Sequence, residues 1–99
     1  RAANSALQQW PDDAGVVVLA GQIDNLLGDV TSAYYAFLRA RQLDPTQPAA
    51  WLWLGAYAQA EGNYVEAALD LRIALALQPT GPLAGQARTL LAPLASVQV

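Results

Sequence analysis

Apolar residues recur along this chain at helical spacing rather than in alternation. Ala49, Leu52, Ala56 and Ala60 fall on one side of a helix, and Trp51, Leu54, Gly55 and Ala58 on another. Leu83, Ala87, Leu90, Leu91 and Leu94 form a third stripe, with Gln86, Arg88 and Thr89 left for water. Gly28 and Gly62 each follow an apolar-periodic stretch and can take the left-handed conformation that ends a helix. Asp29 and Asn63 come next and suit the N-cap of a following helix. Pro45 and Pro79 close the second helices, because proline cannot continue the hydrogen-bond ladder. The pattern predicts helices near 2–10, 13–27, 30–43, 47–61, 64–77 and 82–92, with Pro93 kinking or stopping the last. Short connections then require consecutive helices to pack antiparallel. The β-branched Val16–Val18 lies inside a helical register and predicts no strand.

The chain also repeats itself. A shift of 34 residues aligns Gly21 with Gly55, Gly28 with Gly62, Ala33 with Ala67 and Ala40 with Ala74. The same shift pairs Leu43 with Leu77, Pro45 with Pro79 and Thr46 with Thr80, and it sets Phe37 on Leu71. Glycine and alanine recur where helix backbones must come close. A larger side chain there would cost about 1–3 kcal/mol through overpacking.

These residues resemble the tetratricopeptide repeat family. Its pattern is matched in the second unit by Trp51, Leu54, Gly55, Ala67, Leu71, Ala74 and Pro79. The first unit matches through Val17, Ala20, Gly21, Ala33, Phe37, Ala40 and Pro45, with Asp24 at an aromatic position of the family. The resemblance implies an all-α fold, a right-handed superhelical stack of antiparallel helix pairs. It makes 1–99 one domain: the end of a preceding repeat (1–11), two repeats (14–47 and 48–81) and a capping helix (82–99).

Trp51 and Trp53 are about 200° apart around a helix, so one interface cannot take both. Trp51 sits at the family's core position. The resemblance places the first helix of each repeat on a concave surface, facing Ala49, Leu52, Trp53, Ala56, Gln59 and Ala60 toward it. The preceding repeat adds Val18, Leu19, Gln22, Asn25 and Leu26 by the same register. This stripe is expected to bind a protein or peptide partner, with Trp53 as its anchor. The competing arrangement packs Trp53 against a neighbouring helix. Family members that clamp acidic chaperone tails use a lysine, an asparagine and an arginine on this face; this chain has no lysine and carries Val18, Gln22, Ala49 and Trp53 instead.

Composition narrows the remaining chemistry. Hydrophobic residues make up 55% of the chain and charged residues 13%, a balance that folds rather than stays disordered. With no Cys and no His, structural zinc, thiol chemistry and imidazole bases are excluded from these residues. No metal and no cofactor is expected. Net charge −3 is the wrong sign for gripping phosphate backbones, so no nucleic acid is expected either. The longest apolar run, Ala49–Ala58, is 10 residues, about half a membrane span.

Catalysis lacks raw material. Asp12–Asp13 reads as a helix cap, and Glu61, Glu66 and Asp70 as solvated surface charges. Asp24 reads as a polar group satisfied by backbone or water. Ser5, Ser32 and Ser96 have no histidine or lysine to activate them. Arg39, Arg41, Arg72 and Arg88 read as solubilising charges. The expected function is therefore a non-enzymatic scaffold or adaptor that binds an apolar peptide or helix. The alanine- and leucine-rich composition, with arginine in place of lysine, suggests a bacterial assembly or secretion process. Two alternatives stand beside it: a homo-oligomer that self-associates through Ala3, Ala6, Leu7 and Trp10, or the docking domain of a larger enzyme. Arg1 and the lack of a leader suggest a piece of a longer protein. The absence of cysteine leaves both cytoplasm and periplasm open.

Overall fold

The structure, a computed structural model, describes residues 12–97. Among them it is all-α, with no strand: α1 (Ala14–Leu26), α2 (Val30–Leu43), α3 (Pro48–Ala60), α4 (Tyr64–Leu77) and α5 (Pro82–Leu91), followed by a 3-10 turn at Ala92–Leu94. These bounds fall within two residues of those the sequence predicts, and the turn through Pro93 is where the last helix stops being α-helical. The helix expected near 2–10 lies outside the described residues. The chain divides between Gln47 and Pro48 into two compact units.

In the first unit, α1 and α2 pack as an antiparallel hairpin. Asp13 caps α1 by accepting the Val16 N–H at 3.1 Å. At its other end Gly28 takes φ +83°, which lets two amides turn back onto the last carbonyls. The Gly28 N–H donates to Asn25 O at 3.1 Å and the Asp29 N–H to Asp24 O at 2.9 Å. Asp29 then caps α2, its carboxylate accepting the Ser32 N–H at 3.1 Å and the Ser32 hydroxyl at 2.9 Å. The hairpin closes tightly because Gly21 has no side chain: a Cβ there would stand 2.8 Å from the Phe37 ring and 3.2 Å from Ala36 Cβ. Val17, Ala20, Ala33, Ala36, Phe37 and Ala40 are buried, as is Asp24.

The second unit repeats the device. Gly62 takes φ +84°, its N–H donating to Gln59 O at 3.1 Å and the Asn63 N–H to Ala58 O at 2.8 Å. A Cβ on Gly55 would lie 2.8 Å from Leu71 Cγ. Here α5 adds a third helix, and Leu52, Ala58, Ala67, Ala68, Leu71, Ala74, Ala87 and Leu94 form one core. Trp51, Leu75, Leu83, Leu90, Leu91 and Val97 pack half-buried against it. Trp51 thus touches the core without being enclosed by it.

Three expectations need correction. Asn63 makes no side-chain cap bond, so α4 starts without one. Asp70 is buried, at 3% exposure, rather than solvated; it occupies the position that Ala36 holds in the first hairpin, facing the glycine. Finally, Arg72 and Arg88 bind backbone as well as facing water. Arg72 donates to Val97 O at 3.3 Å, and Arg88 to Pro79 O at 2.6 Å. Arg39 pairs with the exposed Asp12 at 3.3 Å.

Candidate functional site

The turn Gly81–Pro82 sets up the site. Gly81 takes φ +93° as the N-cap of α5, and Pro82 supplies a pre-set φ at the first helical position. Between α3 and α5 this leaves an open groove of about 640 Å³, lined by Leu52, Trp53, Ala56, Pro82, Gly85, Gln86, Thr89 and Leu90. No charged side chain lines it. Leu52 belongs to the core and forms the floor, while Trp53 is half-buried and forms a wall. The indole is braced by Tyr57 one turn on, with ring centroids 6.1 Å apart at 52°. Burial pushes the Tyr57 phenol above its ordinary pKa, so it stays neutral across the physiological range. On α5 the Thr89 hydroxyl donates to Gly85 O at 2.9 Å, while the Gln86 side chain is exposed.

Leu52, Trp53 and Ala56, three of the residues expected to line a binding surface, come together here. Ala49 is half-buried and Ala60 exposed, and neither lines the groove. Gln59 does something else. Its Nε2 donates to Leu90 O at 3.4 Å, tying α3 to the end of α5. It lines a separate cavity of about 320 Å³ with Tyr64, Pro93, Leu94 and Val97. Its Oε1 is buried there without a protein donor. On α1, Val18 is buried at 7% exposure and presents little surface to any partner. Gln22 and Asn25 are half-buried, and Leu19 and Leu26 are exposed.

The α5 wall was missing from the sequence reading. Advancing the expected surface positions by a further 34 residues carries Leu52 onto Gln86 and Ala56 onto Leu90. That step finds two of the five residues that α5 contributes. Pro82, Gly85 and Thr89 carry no such signal. Among the described residues no cluster of acidic side chains could hold a metal ion. No helix among them is long and apolar enough to cross a membrane. The self-association stripe Ala3, Ala6, Leu7 and Trp10 lies outside the described residues. No protein-family model matches this chain, and no curated protein matches it.

Proposed function

We propose that this chain is a non-catalytic interaction scaffold of the tetratricopeptide type, which takes an apolar peptide or helix of a partner protein into the α3/α5 groove. The observation that carries the reading is the groove itself: an uncharged, apolar wall with a half-buried tryptophan across from a bare stretch of helix. Aromatic anchors of this kind concentrate binding energy, because their large area leaves water at small conformational cost. Uncharged walls favour apolar side chains, since a charge brought there would lose hydration without gaining a partner. The repeat assignment draws support from the two hairpins, which share their glycine turns and their glycine contacts at a 34-residue step. On this reading they are consecutive repeats of a right-handed superhelical stack that α5 caps. A setting in bacterial assembly or secretion rests on composition.

The test is a titration. Peptides selected from a displayed random library on the 99-residue chain are measured against wild type and Trp53→Ala, with circular dichroism as the control for folding. Losing the indole should weaken binding by about 2 kcal/mol, roughly thirtyfold. Selected peptides that bind both proteins equally would remove the groove from consideration.

A further inference from the structure

Pro93 decides what happens where α5 ends. It has no amide to extend the helix, so the backbone tightens into the 3-10 turn at Ala92–Leu94, which carries Leu94 into the core at 3% exposure. The Val97 N–H then donates to Leu94 O at 3.0 Å. This brings the chain back toward Gln59, in the last turn of α3, and Tyr64, the first residue of α4. The space between them is the cavity of about 320 Å³ lined by Gln59, Tyr64, Pro93, Leu94 and Val97. Ligand sites run from about 300 to 1,000 Å³, so this one has room for a single small ring system.

An acceptor in this lining is unpartnered. Gln59 Oε1 is buried and receives no hydrogen bond from the protein, while Nε2 of the same amide donates to Leu90 O at 3.4 Å. The Leu90 carbonyl fixes which end of the amide is which, since exchanging the two would set one oxygen against another. A buried acceptor without a donor has given up its hydration and gained nothing in return. The oxygen is covered by its surroundings, so a ligand reaches it when the amide turns about its terminal torsion. That torsion is soft, and the bond that holds the amide is long.

The lining selects the occupant. A bound water needs about two to four polar partners, and of the other lining side chains only Tyr64 carries a polar atom. Pro93, Leu94 and Val97 call for an apolar body instead. No charged side chain lines the cavity, so an ammonium or guanidinium would lose hydration without gaining a partner. A peptide amide or a hydroxyl brings acceptors of its own along with its donor, whereas an indole N–H is a donor only. We propose that this cavity binds a neutral heteroaromatic N–H donor of indole size, its N–H donating to Gln59 Oε1 and its ring packed on Pro93, Leu94 and Val97. Tyr64, 52% exposed, stands at the mouth. The site is distinct from the α3/α5 groove and does not rest on the peptide-binding reading.

NMR titration of the 99-residue chain with indole reads this directly. The Gln59 side-chain amide and the Leu94 and Val97 methyls should shift, with NOEs from the ring to those methyls. The probe 1-methylindole has lost the donor and should bind about two- to tenfold more weakly, the worth of one neutral hydrogen bond. Its extra methyl also takes space, and Gln59→Leu separates the two effects. Without the acceptor the preference for indole should vanish, whereas a purely steric preference would remain. Circular dichroism checks that the variant folds, and the NOEs and the two-probe comparison on wild type stand without it. The site is overturned if indole up to millimolar leaves Leu94 and Val97 unmoved, which would mean water only. It is equally overturned by NOEs that run to Leu52 and Trp53 instead, by equal affinity for the two probes, or by a preference that survives Gln59→Leu. None of these outcomes touches Trp53-dependent peptide binding, which is read on a different surface.

Discussion

The two hairpins, α1/α2 and α3/α4, are built on one backbone plan and finished with different side chains. Both close through a glycine at φ +83° or +84°, with the same pair of backbone hydrogen bonds. Both set a large apolar side chain over a glycine sixteen positions earlier, Phe37 on Gly21 and Leu71 on Gly55. The differences fall elsewhere. Asp29 caps its helix through its side chain while Asn63 does not. Asp24 is buried where the second hairpin has Ala58, and Asp70 is buried where the first has Ala36. What the comparison teaches is that helix termini and the closest crossing are geometric necessities, which tolerate little change. Caps and buried polar groups are local solutions, and they can differ between copies.

Breaking the shared crossing should have the largest effect. Phe37→Ala and Leu71→Ala each remove a fully buried side chain and leave a cavity over a glycine that cannot fill it. Losses of about 3–5 kcal/mol for the first and about 2–5 kcal/mol for the second are expected in urea unfolding followed by circular dichroism. Comparable losses would support equivalent roles for the two positions. A near-neutral result at one would show that the hairpins are alike in backbone only.

Glycine replacements sharpen the same point. Gly55→Ala forces a methyl into the space of Leu71 Cγ, and the crowding should outweigh the better helix propensity, destabilising by about 1 kcal/mol or more. Gly85→Ala meets nothing and should stabilise by about 1 kcal/mol. Thermal melting of the two variants should therefore shift in opposite directions.

The caps give a smaller contrast. Asp29→Ala deletes the acceptor of two hydrogen bonds from Ser32 and should cost about 1 kcal/mol. Asn63→Ala deletes no side-chain bond and should stay within about 0.5 kcal/mol of wild type. Equal losses would mean that Asn63 caps α4 in solution after all.

The smallest expected effect is a titration in the turn after α2. Asp44 accepts the Thr46 hydroxyl at 2.6 Å and the Thr46 N–H at 3.0 Å, and these two bonds hold its carboxyl below the ordinary value of 3.8. A depressed folded-state pKa stabilises the ionised form, so the contribution is complete above the ordinary value and fades as pH falls through the lowered one. Carboxyl NMR should report the depression in wild type. Thr46→Ala should move Asp44 back toward its ordinary value, because the hydroxyl bond is the larger cause.

Much of this architecture was legible in the order of residues. Gly28, Gly62, Pro45, Pro79 and Pro82 act through φ and the missing amide, properties that each residue carries wherever it stands. Helix ends could therefore be read locally, and the 34-residue step located the tight crossings at Gly21 and Gly55. Asp70 shows the limit. By composition a carboxylate belongs in water, yet the repeat step alone places it with Ala36, on the side that faces the neighbouring helix.

By itself, then, the sequence determined five of the helices, their turns and the positions where backbones meet, since all of these follow from steric rules acting over a few residues. Only the tertiary structure decided that α5 lies along α3 so as to leave a groove, that Gly85 faces that groove empty, and that Gln59 is spent tying α3 to Leu90 O rather than lining it. The physical reason is that packing between elements distant in sequence settles which face of a helix is covered. No local preference of Gly85 or Gln59 encodes the neighbour each will have.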